Sequence, residues 1–287
     1  MNKKAFLRSL TAVAVVSVAV LFTACNKDSV KKDVFRSYAQ KGPFVIGSSV
    51  TISELRSDLT QTGKTYITTI SDNSGSFELT DIELVSNYVE LKADGYYFIE
   101  GAGWVSMAPL TLYALVDIAD VTSANVNVLT HLEKPRVEYL IKQEKKSFSA
   151  AKQQAQREVL AIFGFNPPQT SSEALNLTDN AMLIAISCIL HGNSAVVGEL
   201  SELMARISAD IKTDGKLDDM ALGSILMNYA IFLTTDENAG TIDNPCTWFS
   251  RIRKNLETKY AELGINVSIP DFESYIQSFA NSGLYPK

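Results

Sequence analysis

The chain has 287 residues, 46% of them hydrophobic, 20% charged and 9% aromatic, with 26 basic side chains against 32 acidic ones. That length and apolar content fit about two domains with real cores and exclude a wholly disordered or collagen-like chain. A net charge of −6 gives no reason to expect a nucleic-acid partner, which needs clustered Lys and Arg against phosphate. At the N-terminus, Met1 to Arg8 carries Lys3, Lys4 and Arg8 and no acid, Leu10 to Phe22 holds 11 apolar residues in 13, and Thr23-Ala24 precede Cys25. This is the build of a secretory signal. The apolar run is shorter than the roughly 20 residues a bilayer span requires, so a permanent membrane helix is not expected.

The stretch Leu21-Phe22-Thr23-Ala24-Cys25 resembles the lipobox of bacterial lipoproteins, whose cysteine thiol receives a diacylglycerol and whose new amino group, after cleavage, is usually acylated. Phe22 stands where that family most often has Leu, a departure that lipoproteins of the Bacteroidota tolerate. The resemblance implies that residues 1–24 are a lipoprotein signal peptide and that Cys25 is the lipidated N-terminus; three acyl chains at ~0.8 kcal/mol per CH₂ exceed what stable anchoring needs. An ordinary signal peptide followed by a coincidental cysteine is the alternative. Residues 25–36 are polar and charged and read as a tether. Asn26 rather than Asp follows the cysteine, so an inner-membrane retention signal of the enterobacterial type is absent and the outer membrane is the expected location. Asp28-Ser29-Val30 resembles the short Asp-Ser/Thr-apolar site of Bacteroidota O-glycosylation, which makes Ser29 a glycosylation candidate; a plain solvated tether explains it equally. Loss of the three leader cations takes the charge from −6 to −9, which disfavours attachment to anionic lipid by charge alone.

From Phe44 to Val121, within a domain drawn at residues 37–124, the hydrophobic period is two, as in Phe44/Ile46, Val50/Ile52, Phe77/Leu79, Val89/Leu91 and Tyr96/Phe98. Turn signals at Lys41-Gly42-Pro43, Gln61-Thr62-Gly63-Lys64, Asp72-Asn73-Ser74-Gly75 and Ala93-Asp94-Gly95 divide about seven short strands, which predicts a small antiparallel β-sandwich. Residues 69–77 (TISDNSGSF) followed by 88–96 (YVELKADGY) resemble the carboxypeptidase regulatory-like, transthyretin-like sandwich, with Ser71-Asp72 in place of Thr-Asp and Asn87-Tyr88 where Gly-x-Tyr is usual. The resemblance covers under a third of the chain and implies a structural or adhesive module without catalysis.

Near Val126 the period changes, and residues 125–287 read as an α-helical bundle of about seven helices, giving an α+β chain. Thr130 and Glu133 have capping-box spacing for a helix running towards Lys145, with Pro135 disturbing its start. Further helices are expected over 147–163 with Gly164 as stop, 178–191, 194–212, 218–232, 244–263 behind Asn244-Pro245, and 270–280. The junction 125–130 and the segments that follow resemble the layout of Bacteroidota surface lipoproteins of unassigned function.

Chemistry-bearing residues are sparse. The two histidines, His131 and His191, sit in a first helical turn and at a helix end, without a nucleophile-elbow context. Asp210, Asp214 and Gly215 have part of a calcium-loop spacing, but Lys212 and Ala221 occupy positions where acids are needed, so a helix stop and a new cap at Asp218 or Asp219 explain the acids better and no metal is expected. Cys188 and Cys246 form a candidate disulfide in an exported chain, although Cys188 also fits as a small core residue. Among Tyr96, Tyr97, Phe98 and Trp104, alternation lets only part of the set face solvent; Tyr97 and Trp104 are the ligand-binding candidates for a sugar-stacking surface, with core packing as the other reading. The expectation is a lipid-anchored outer-membrane lipoprotein without catalytic residue or cofactor, acting as a binding or interaction module towards a glycan or surface protein. A hydrolase or metal-dependent enzyme using Asp210, Asp214 and Asp218, or a scaffold of a surface assembly, are the alternatives.

Overall fold

A computed structural model of the chain describes residues 30–192, 197–235 and 247–287; Cys25, Ser29, Cys246 and the Asn244-Pro245 pair lie outside them. The first strand, β1 (Val30–Gln40), pairs antiparallel with β4 (Ser76–Leu84), from Val30↔Leu84 to Tyr38↔Ser76. Residues 30–36, expected as part of a polar tether, are therefore strand. Their charges sit on the outward side: Lys31, Asp33 and Arg36 are exposed, while Phe35, Ser37 and Ala39 point into the core. A half-buried strand with a charged outer face reads like a linker when its apolar positions are few.

A second sheet runs in the order β3 (Gln61–Thr69), β2 (Ser49–Leu55), β5 (Tyr88–Gly95), β8 (Leu110–Asp117), all antiparallel. Val50, Ile52, Leu91, Ala93 and Leu112 share one core with Phe35, Phe77 and Leu79 of the first sheet. The Asp72 turn that joins β3 to β4 closes through its carboxylate, which accepts from the Ser74 amide at 2.8 Å. Gly75, at φ 84°, lets the chain pass so close to β1 that a Cβ there would lie 2.4 Å from the Ala39 carbonyl oxygen. The expected all-antiparallel pairing fails at one place: β9 (Val126–Asn127) lies parallel to the end of β1, Ala39↔Val126.

Helix α1 (Val128–Lys142) starts directly from β9 and runs through Pro135. Its cap is Asn127, not Thr130. The Asn127 side chain accepts from the Thr130 amide, and Thr130 Oγ1 accepts from the Asn127 amide, both at 3.0 Å. Glu133, read from spacing as the reciprocal acid of that box, is instead wholly buried. The remaining helices are α2 (Phe148–Ile162), α3 (Ala181–His191), α4 (Val197–Asp210), α5 (Met220–Thr234), α6 (Trp248–Ala261) and α7 (Glu273–Ala280). Ser147 and Asp219 cap α2 and α5, and Gly164 and Gly192 follow α2 and α3.

The helices do not stand apart from the strands. Leu55 and Leu115 on the outer face of the four-stranded sheet pack against Val137, Leu140 and Ile141 of α1 and Ala151 and Ala155 of α2. The larger core is continuous from Phe35 on β1 through α3, α5 and α7 to Tyr285, so the period change near residue 125 falls inside one core.

Candidate functional site

After β1 the chain places Lys41 at the bottom of the interface between strands and helices. Its ammonium donates to Glu100 Oε2 at 2.7 Å, and the two side chains are 0% and 1% exposed. Ser187 of α3 closes the other carboxylate oxygen, donating to Glu100 Oε1 at 2.6 Å, with its hydroxyl also against the Lys41 carbonyl. Asn255 of α6 donates to the Glu100 backbone carbonyl at 2.7 Å. Glu100 opens the turn of the short hairpin between β6 (Phe98–Ile99) and β7 (Trp104–Val105). One buried ion pair thus ties strand β1, this hairpin, α3 and α6 together, and its charges are satisfied internally as such a pair requires.

Above that pair lies a pocket of ≈ 310 Å³ between the hairpin and the ends of α3, α5 and α6. Ile99, Ala102, Leu233 and Ile252 give it apolar walls; Trp104, 55% exposed, and Met107 stand at its mouth, and Trp248 forms another side. The Trp248 ring packs on Phe232 at 5.0 Å and under the Arg251 guanidinium at 5.5 Å. Two polar atoms of lining residues, Trp248 Nε1 and His191 Nδ1, are buried with no hydrogen-bond partner among the described residues. Burial, reinforced by the Lys41 charge, lowers the His191 pKa to about 3, so its imidazole is neutral at physiological pH. Burial also pushes the Cys188 thiol up, with Glu100 adding to the rise. The thiol is protonated and no nucleophile.

Of the two aromatic residues expected to meet a ligand, Trp104 is at the pocket and Tyr97 is not. Tyr97 is wholly buried, bridged to Phe44 and packed on its ring at 6.0 Å, with the Lys41 ammonium 5.7 Å from its centroid. Alternation does turn Tyr96 outward, but Phe98 on the same face is buried, with the Lys259 ammonium of α6 5.5 Å from its ring. Trp248, His191 and the Lys41–Glu100 floor were not part of the sequence-based site. They come from positions far apart in the chain and carry no shared spacing; a charged Lys beside Gly42-Pro43 and a Glu flanked by Ile99 and Gly101 were the only local signals.

The other candidates have structural partners. His131 stacks on Tyr113 at 5.8 Å, and burial with the Lys134 charge lowers its pKa to about 4. Asp210 Oδ2 accepts from the Asp218 and Asp219 amides at 2.7 and 3.3 Å, Asp214 Oδ1 accepts from the Lys216 amide at 3.0 Å, and Asp219 caps α5. Arg136 pins this loop, donating to the Thr213 carbonyl at 2.7 Å while bridging to Glu158. Among the described residues no three potential metal-binding side chains converge. Cys188 is a buried free thiol on α3. A second, polar pocket of ≈ 360 Å³ lies beside α1 and α2. There the Lys152 ammonium sits 2.9 Å from Glu133 and 3.0 Å from Glu173. Burial alone would lower the lysine pKa, and the two carboxylates reverse this and raise it.

Comparison with known proteins finds no matching family model, no similar curated protein and no similar solved structure.

Proposed function

We propose that the chain is a lipid-anchored, non-catalytic binding module of the bacterial outer membrane, held through Cys25 and taking its ligand in the pocket between the β6–β7 hairpin and α3, α5 and α6. The observation that carries the binding role is the pocket itself: an open, mostly apolar concavity built on a buried ion pair. Small-molecule sites have this composition, apolar walls with a few fixed polar groups.

The non-catalytic part is supported by the state of the groups that acid–base chemistry would use. A histidine with a pKa of about 3 or 4 is a weak base at neutral pH, far from the matched value that proton transfer favours. The anchor is supported by Leu21-Phe22-Thr23-Ala24-Cys25 and by charge, since an acidic body gains little from anionic lipid.

Substituting Cys25→Ala tests the anchor. The variant is expected to leave the membrane fraction after cell disruption, whereas the parent chain stays with it and is extracted only by detergent. Equal retention of the two proteins would refute lipid attachment at Cys25.

A further inference from the structure

We propose that the second pocket, between the β8–β9 loop, α1, α2 and the loop before α3, binds a primary ammonium group carried on a short carbon chain. This site is separate from the pocket of the proposed function and does not depend on it.

Charge makes the first argument. Asp117, Asp120, Glu133 and Glu173 line the pocket against one lining cation, Lys152. That ammonium is already committed: it donates to Glu133 Oε2 at 2.9 Å and lies 3.0 Å from Glu173 Oε2. Ser172 Oγ donates to the other oxygen of Glu133. Two carboxylates therefore share one buried ammonium, and burial, with the Glu173 charge adding to it, raises the Glu133 pKa, the response of a carboxyl short of positive charge. Lys32 also reaches this rim, where its ammonium donates to the Ala119 carbonyl at 3.0 Å. With both cations counted, the four acids still leave the pocket negative.

Open acceptors make the second argument, and it is independent of charge. Gln156 of α2 is only 8% exposed. Its amide nitrogen donates to the Thr170 carbonyl at 2.9 Å and to Ser172 Oγ at 3.2 Å; a carbonyl only accepts, which fixes the nitrogen on that side. The Gln156 Oε1 atom takes no hydrogen bond from any described residue yet stays open to water, and the concavity that Gln156 lines is this one. Glu173 Oε1 is in the same state, on a side chain 15% exposed. Both residues are held in place. The Asn125 amide donates to the Glu173 carbonyl at 2.7 Å, and the Asn127 side chain donates to the Ser172 carbonyl at 2.8 Å, so the acceptors are set before a ligand arrives.

What suits two open acceptors in negative surroundings is a cation with N–H groups to donate, and a primary ammonium has three. A metal ion fits less well, because among the described residues no three potential metal-binding side chains converge. An anion would lose its hydration and meet like charge. Phe148 and Val121 supply apolar wall for a carbon chain, and ≈ 360 Å³ lies near the lower end of the ~300–1,000 Å³ range of small-molecule sites.

Calorimetric titration of the full chain in detergent at neutral pH, with melting temperature read in parallel, tests the class with n-butylammonium, n-butanol, butyrate and calcium. Butylammonium is expected to bind saturably, about ten-fold or more tighter than butanol, the difference one charge-assisted hydrogen bond makes, and butyrate and calcium are expected not to saturate. A blocked Gly-Lys-Gly tripeptide carries the same group on a peptide. Tighter binding of the tripeptide than of butylammonium would identify a lysine side chain as the source and weaker binding a free amine, and either supports the ammonium site. Glu173→Gln removes the charge behind the open carboxylate oxygen and is expected to weaken butylammonium about ten-fold. Gln153→Lys, at an exposed position of α2 on the pocket wall, supplies a tethered ammonium and is expected to weaken it to a similar extent at an unchanged melting temperature. Binding of butanol, butyrate or calcium as tight as that of butylammonium would overturn the ligand class. Parent-like butylammonium affinity in Glu173→Gln, or in Gln153→Lys should the first variant fail to fold, would overturn the site, as would neither saturable heat nor a raised melting temperature with any probe.

Discussion

Lys41 and Glu100 carry opposite charges in a place where neither reaches water. Isolated, each would be too poorly solvated to persist as an ion; together, with Ser187 on the second carboxylate oxygen and Asn255 on the Glu100 backbone carbonyl, they hold the hairpin turn against α3 and α6. The pair therefore shapes the pocket more than it stabilises the fold, since an apolar pair of equal volume would be tolerated nearly as well. Lys41→Met alone leaves the carboxylate buried without a counter-charge and is expected to lower unfolding stability by about 3–5 kcal/mol. Adding Glu100→Gln to that variant is expected to recover most of the loss; chemical denaturation of the parent, the single and the double variant measures both numbers. Stability of the single variant within 1 kcal/mol of the parent would mean that water reaches Glu100. None of this was legible in the sequence, because a lysine after a strand and a glutamate in a Gly-rich turn are ordinarily solvent-facing residues and only tertiary packing brings them within 2.7 Å.

Secondary elements were far more legible than side-chain pairs, and the misreadings share one cause. Period two marked β2, β4 and β5, and Ser147, Gly164 and Asp219 marked the helix ends where the structure has them. At the sheet-to-bundle junction the reading shifted by one helical turn, because Thr130 with Glu133 and Asn127 with Thr130 both satisfy capping spacing. Glu133 is drawn inward by Lys152, and Asn127 is the residue with further partners: its side-chain amide donates to the Ser172 carbonyl at 2.8 Å. Asn125 beside it accepts from the Tyr38 amide and donates to the Leu175 carbonyl. The segment is thus a polar seam joining β1, α1 and the loop before α3. Asn127→Ala removes a cap and one of the two donors to the Ser172 carbonyl, the other being the Leu175 amide at 3.3 Å, and is expected to cost about 1–2 kcal/mol, measured as a lowered denaturation midpoint with an unchanged slope. Thr130→Ala tests the same box from its other end, and Glu133→Gln is expected to leave helix α1 intact by circular dichroism.

Across the whole molecule, the sheet and the bundle share apolar surface on both sides of the four-stranded sheet. The boundary near residue 125, drawn from the change of period, describes the local geometry of the chain and not the extent of its core. A chain so joined is expected to unfold in one cooperative transition, with calorimetric and van't Hoff enthalpies equal; two resolved transitions, one lost first from the helical signal, would show that the sheet folds without the bundle. Strand β1 is the element that runs furthest through this core. Its eleven residues at ~3.3 Å each set Val30 about 36 Å from the residue that begins the pocket floor. At physiological salt, ions in solution screen exposed charges over ~8 Å, so the strand spans more than four screening lengths. The exposed charge at its start, Lys31, about 33 Å from Lys41 at ~3.3 Å per residue, is therefore screened at the pocket floor, whereas Arg36, about 17 Å away, is only some two screening lengths off; the first residues of the strand are free to vary in charge with little effect on the pocket.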